Sequence, residues 1–158
     1  MHRLRFNQHL HANGMSASEL RNRLQTLHEE LKEIGQGDLD TSQLDPYCQE
    51  LIKPSFIRHK DKGVQALVAC NLADILRLYA PNAPFSQAEI KILFRFLLAQ
   101  LVSPSAGLIN TEHPLYKDAV YVLDSLSTVK SVVLICDIQS AGDLSPEYFQ
   151  KLAALITG

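Results

Sequence analysis

Histidine, cysteine and paired acids are the residues in this sequence with the chemistry to hold a metal or move a proton: six His, three Cys and the doublet Glu29-Glu30. Their spacing argues against both uses. His9 and His11 fall in a polar opening stretch and form no ligand pattern such as H-E-x-x-H. His28, His59 and His113 stand singly beside charged or helix-starting residues and are expected to be solvated. Cys48, Cys70 and Cys136 are far apart, each among apolar neighbours, with no C-x-x-C pair. They read as buried small hydrophobes of a reducing compartment. Glu29 and Glu30 are expected to face water on a helix rather than to act as an acid/base couple. No serine occupies a G-x-S-x-G turn, and no glycine-rich loop opens a helix as a phosphate cradle would. No catalytic residue, metal site or cofactor is therefore expected, and the reading is non-enzymatic.

Two segments carry chemistry of another kind. Lys53, Arg58, His59, Lys60 and Lys62 stand against a single acid, Asp61. They form either a solvated loop or a local anion contact, for nucleic acid or an inositol phosphate. The second segment is Tyr79-Ala80-Pro81-Asn82-Ala83-Pro84-Phe85. Two prolines three apart stiffen it, alanines leave the backbone uncovered, and two aromatics flank it. Such a loop is either a rigid helix–helix turn or a preorganised peptide-docking site that loses little entropy on binding.

Helices must position both segments. Ser16 and Glu19 have capping-box spacing. Behind them Leu20, Leu24, Leu27, Leu31 and Ile34 repeat at steps of four and three, one apolar stripe, with Arg21, Arg23, Glu29, Glu30, Lys32 and Glu33 left wet. Gly35 and Gly37 are expected to stop this helix. Asp45-Pro46 offers a capping side chain and a proline at the first helical position of a short helix, which Pro54 should break or kink. From Gly63 to Tyr79 the chain is apolar on more than one face, as in a helix sandwiched between others. Ser86 and Glu89 form a second capping box, opening a helix to about Val102. Ser103 to Gly107 reads as a loop, and Leu115 to Leu126 as a further helix after His113-Pro114. Val129 to Ile138 has strand propensity but no pairing partner, so helix is expected there too. Ser145-Pro146-Glu147 starts the last.

These elements predict an all-α fold, a HEAT- or armadillo-like stack of antiparallel helical hairpins. Residues 1–15 are expected to form a flexible arm, disordered or laid over a neighbour, and residues 16–158 a helical-repeat domain. The last helix reaches Thr157-Gly158 without a polar cap, which reads as a cut through a longer solenoid. Hydrophobic residues make up 46% and the net charge is −2, so DNA binding by bulk charge is disfavoured. No apolar run approaches a membrane span or a secretory signal.

A resemblance adds to this reading. The stretch His59-Lys60-Asp61-Lys62-Gly63-Val64, followed by Ala69-Cys70-Asn71-Leu72-Ala73-Asp74-Ile75-Leu76-Arg77-Leu78-Tyr79 and Ala80-Pro81-Asn82-Ala83-Pro84-Phe85, resembles the cohesin-associated factors named for precocious dissociation of sisters. Arg3-Leu4-Arg5-Phe6-Asn7 and Leu27-His28-Glu29-Glu30-Leu31 look like the N-terminus of fungal members. The resemblance implies a large helical-repeat protein in the nucleus, on chromatin, that regulates sister chromatid cohesion. It implies binding to the kleisin subunit of cohesin, to a Wapl-like release factor and to the cohesin acetyltransferase, with any DNA contact secondary and no membrane role. A family Ala-Pro-Asp-Ala motif that receives short partner peptides maps onto Ala80, Pro81, Asn82 and Ala83, within a docking segment running from Tyr79 to Pro84. Asn82 departs from the motif: it keeps the size and an acceptor oxygen but drops the charge, so a salt bridge to a partner arginine is in doubt.

Overall fold

The structure, a computed structural model, describes residues 2–10, 14–35, 37–79, 84–101 and 112–128. Its regular elements are α1 (Ala17–Leu31), a 3₁₀ segment (Thr41–Leu44), α2 (Asp45–Leu51), α3 (Pro54–Ile57), α4 (Lys62–Tyr79), α5 (Gln87–Leu101) and α6 (Tyr116–Thr128). The loop expected at Ser103–Gly107 and the helices expected at Val129–Ile138 and from Ser145 lie outside the described residues. Two compact units divide the chain, Met1–Pro84 and Phe85–Gly158.

In the first unit, Ser16 Oγ accepts the Glu19 N–H at 3.2 Å and starts α1. The stripe Leu20, Leu24, Leu27 and Leu31 is buried, and so is Ile34 beyond the helix end. Each such side chain contributes about 1.5–3 kcal/mol by leaving water. The stripe packs on α4, and the polar contacts climb in step: Arg21 with Asp61, Leu24 with Asn71, His28 with Asp74, Leu31 with Arg77. The two helices therefore run in the same direction, as equivalent helices of successive hairpins do in a stacked repeat. The 3₁₀ segment, α2 and α3 pack on α4 as well, which is why its residues are buried nearly all round.

Local expectations shifted in three places. α1 ends at Leu31, ahead of its glycines, because Arg77 reaches across from α4 and donates to the carbonyls of Leu31 and Ile34 at 2.8 and 2.6 Å. That guanidinium supplies the C-terminal cap; Gly37, at φ +89°, shapes the turn beyond. Asp45 is no cap, since the 3₁₀ segment feeds straight into α2 and the Asp45 N–H already donates to the Ser42 carbonyl. Asp40 caps instead, accepting the Ser42 N–H at 3.1 Å. Pro54 ends nothing that still ran: it opens the one-turn α3, where its missing N–H has no partner to lose.

Residues 2–10 lie over this frame. The Glu30 carboxylate accepts the Arg5 and Phe6 N–H groups at 2.6 and 2.9 Å and the His2 Nε2–H at 2.8 Å. The Leu4 N–H donates to Gln43 Oε1 at 2.9 Å. Phe6 packs edge-on against Tyr47 at 5.3 Å between ring centroids, and Leu10 is fully buried. Glu30, expected to be wet, is thus engaged by backbone that its sequence neighbours do not supply.

In the second unit, the Ser86–Glu89 box closes in both directions: the Ser86 N–H donates to Glu89 Oε1 at 2.8 Å and the Glu89 N–H to Ser86 Oγ at 3.1 Å. α5 packs on α6, burying Leu93, Phe94, Phe96, Leu97, Leu98 and Leu101. No helix among the described residues is long and apolar enough to cross a membrane.

Candidate docking surfaces

Ala80, Pro81, Asn82 and Ala83, the heart of the expected docking segment, lie outside the described residues. Their two neighbours are described. Pro84 is half-buried. Tyr79, the last residue of α4, turns its hydroxyl inward and shares its proton between the Thr41 carbonyl at 2.7 Å and Asp45 Oδ1 at 2.6 Å. Cys48 Sγ approaches the same oxygen at 3.7 Å. Burial first, and then the Asp45 carboxylate, which accepts the hydroxyl proton, push the phenol above its ordinary range. Burial also pushes the Cys48 thiol up to about 11, so it stays a thiol at neutral pH and offers no nucleophile. Chemically, this cluster fixes the end of α4 and hence the point from which the double-proline loop departs. Tyr79→Phe should cost about 1 kcal/mol, the ordinary worth of such a hydrogen bond. For a chain of this size that is about 2–4 °C in the melting temperature, read by circular dichroism; no change would show the hydroxyl to be idle.

The basic segment is brought together around α3. Lys53 is its N-cap residue and Arg58 its C-cap; Lys60 lies in the next loop and Lys62 begins α4. All four side chains are exposed, and none makes an ion pair among the described residues. Asp61 does not offset them. Its Oδ1 accepts the Val64 N–H at 2.9 Å, capping α4, and its Oδ2 takes the Arg21 guanidinium of α1 at 2.6 Å. The Val64 N–H foremost, with Arg21 adding to it against a burial penalty, holds the Asp61 carboxyl below the usual carboxylate range.

Sequence reasoning missed a third cluster, between α1 and α4. His28, expected to be solvated, is 6% exposed, and its Nδ1–H donates to Asp74 Oδ2 at 2.6 Å; Asp74 is 0% exposed. Arg77 Nη2 lies 3.5 Å from Asp74 Oδ1. Asn71 Nδ2 donates to the Leu24 and Leu67 carbonyls at 3.0 and 2.9 Å, while its Oδ1 is buried with no partner among the described residues. A carboxylate-oriented imidazole occurs in hydrolases, but a pair sealed from solvent joins helices and meets no substrate. The signal was present: His28 is four after Leu24 and three before Leu31, on the apolar stripe itself. Among the described residues, no group of three or more His, Cys, Asp or Glu could hold a metal ion.

Between residues 2–8 and α1 runs a groove of about 510 Å³ lined by Arg5, Phe6, Thr26, Glu29, Glu30 and Glu33 among others. Its central carboxylate, Glu30, is already taken by the backbone laid across it.

The chain has recognisable relatives. A family model described as sister chromatid cohesion protein PDS5 matches residues 18–158. The sister chromatid cohesion protein PDS5 of Saccharomyces cerevisiae is 37% identical over 135 residues, covering 85% of this chain and 10% of that protein. The Schizosaccharomyces pombe protein of the same name is 34% identical over 140 residues, covering 89% and 11%. The human PDS5 homolog B is 34% identical over 102 residues, covering 64% and 7%. The chain thus spans about a tenth of the length of the two yeast relatives. A solved structure reported as "Structure of the Pds5-Scc1 complex and implications for cohesin function" superposes with a TM-score of 0.77 at 35% identity, covering 85% of this chain and 20% of that one. The fold class is the expected one, an all-α HEAT/armadillo-like stack of helical hairpins.

Proposed function

The chain belongs to the sister chromatid cohesion protein PDS5 family, and from that premise we propose that it is a non-enzymatic cohesin regulator, a scaffold whose double-proline loop docks short peptides of cohesin partners. The observation that carries the reading is the tethered end of α4. Tyr79 is held by Thr41 and Asp45, so the loop of Ala80, Pro81, Asn82, Ala83 and Pro84 departs from a fixed point. In the sequence, Pro81 and Pro84 restrict the backbone torsions open to that stretch. A loop ordered before binding spends little of the docking energy on its own ordering.

The peptides proposed are those of a Wapl-like release factor and of the cohesin acetyltransferase, acting on chromatin in the nucleus to control cohesin release and sister chromatid cohesion. The kleisin subunit is a further proposed partner, supported by the similar structure having been solved as a complex with Scc1. At Asn82 an amide replaces the family's acid, so docking rests on apolar contact and on the amide oxygen. The test is titration of a fluorescently labelled Wapl-type peptide. Pro81→Lys should weaken binding by about 2 kcal/mol, roughly 30-fold, as expected for a central contact. Equal affinity of wild type and variant would remove the loop from the interface.

A further inference from the structure

We propose that the loop built around α3 is a separate contact for a nucleic-acid backbone, with Lys53, Arg58, Lys60 and Lys62 each meeting one phosphate. The four side chains are exposed and unpaired among the described residues. From Leu51 to Val68 the sole acid is Asp61, and its carboxylate is committed inward to Arg21 and to the Val64 N–H. The positive charge of this loop is therefore left uncompensated, although the chain as a whole carries −2.

The loop suits a polyphosphate backbone better than an acidic peptide on three physical grounds. First, its second half is tied down: the Asp61 N–H donates to His59 Nδ1 at 3.0 Å, and Gln65 Nε2 donates to the His59 carbonyl. Such bonds lower the backbone ordering cost of presenting Lys60 and Lys62. Second, Lys53 and Arg58 bracket α3 five residues apart, about 7.5 Å of helical rise, which leaves each free to meet its own phosphate on a strand whose charges recur about every 3.4 Å of axis. Third, peptide interfaces draw their energy from buried aromatic or apolar anchors. Here, of the two large apolar side chains of α3, Phe56 is fully buried and Ile57 partly so, and neither is an exposed anchor for a partner. A surface of point charges without an anchor suits sequence-independent phosphate contact.

The experiment is fluorescence anisotropy of a labelled 20-base-pair duplex with the 158-residue chain across a salt series. Four phosphate contacts give a slope of log affinity against log salt of about −3.6, so binding weakens about 150-fold between 50 and 200 mM salt. Lys53→Gln, Arg58→Gln, Lys60→Gln and Lys62→Gln should each reduce the slope by about 0.9, and the combined variant should abolish binding at 50 mM. All four residues are exposed, so melting followed by circular dichroism should be unaltered; if the combined variant does not fold, the four single slopes decide. Pro81→Lys should bind the duplex as wild type does, which keeps this surface distinct from the peptide loop. Slopes unmoved by the substitutions, or tighter binding of an Asp/Glu-rich peptide of equal charge, would overturn the proposal.

Discussion

Asp74→Ala should lower the stability of the chain by about 3–5 kcal/mol, the cost of breaking a buried ion pair by removing one partner. At about 2–4 °C per kcal/mol for a chain of this size, the melting temperature should fall by roughly 10 °C. Asp74 sits at 0% exposure with the His28 Nδ1–H on one oxygen and Arg77 3.5 Å from the other. Without the carboxylate, His28 keeps a buried donor facing a void. Arg77 retains the Leu31 and Ile34 carbonyls but loses the carboxylate beside it, and those carbonyls belong to the end of α1 and the turn that follows it. The damage should therefore spread along the α1–α4 seam instead of staying at one residue. A double-mutant cycle with His28→Ala separates this from a simple cavity: residues joined in one network give coupling of about 0.5–3 kcal/mol. Chemical denaturation supplies the energies. Additive losses, or a loss below about 1 kcal/mol for Asp74→Ala, would mean the seam is held by leucine packing alone.

The seam also shows what a sequence can and cannot disclose. Leu20, Leu24, Leu27 and Leu31 were legible because their own spacing marks the face to be buried, and the Ser16 and Ser86 boxes because both halves sit three residues apart. The all-round burial of α4 followed from its lack of a polar face. The polar residues were another matter. His28 looked solvated because Glu29 and Glu30 follow it, yet its partner is 46 residues away. Glu30 looked wet because its engagement depends on where the first ten residues lie. Asp45 had the type and position of a cap and instead serves Tyr79, 34 residues on. In each case a long-range partner decided the role; only at His28, placed on the apolar stripe, did the local spacing carry a signal of burial.

The candidate sites divide the same way. The double-proline loop and the Lys53–Lys62 segment were visible as composition. That Asp61 faces inward, leaving the cations uncompensated, became visible only once α1 brought Arg21 alongside. Tyr79 was marked as a flank of the loop by its aromatic character, but its hydroxyl belongs to the fold. Because α4 is both the member buried from every side and the helix that ends at the proposed docking segment, substitutions in its polar seam should weaken the proposed peptide docking from a distance.

Glu30→Ala is expected to free residues 2–10 from α1 without unfolding the helices, at a cost to arm docking of about 3 kcal/mol. Three donors converge on this carboxylate, two of them backbone N–H groups that would be left without their acceptor. Hydrogen bonds to charged groups contribute about 1.5–3 kcal/mol each, and partial exposure of the site reduces the sum. Burial opposes ionisation of Glu30, but the Arg5 N–H, the His2 ring and the Phe6 N–H outweigh it and hold the carboxyl below the usual range. That direction fixes the sign of the pH effect. A carboxyl with a folded-state pKa below its unfolded value contributes fully above that unfolded value, 4.5 for glutamate, and the contribution is lost as pH falls through the folded pKa. Amide hydrogen exchange at Arg5 and Phe6 is the direct reading. Protection should be high at neutral pH and fall below about pH 4.5 in the wild type, while Glu30→Ala should show about 100-fold less protection at neutral pH and converge with the wild type in acid. Limited proteolysis should cut the variant near Leu10 and leave α1 intact. Equal protection in both proteins would place the hold on the arm with Phe6 and Leu10 packing, not with the carboxylate.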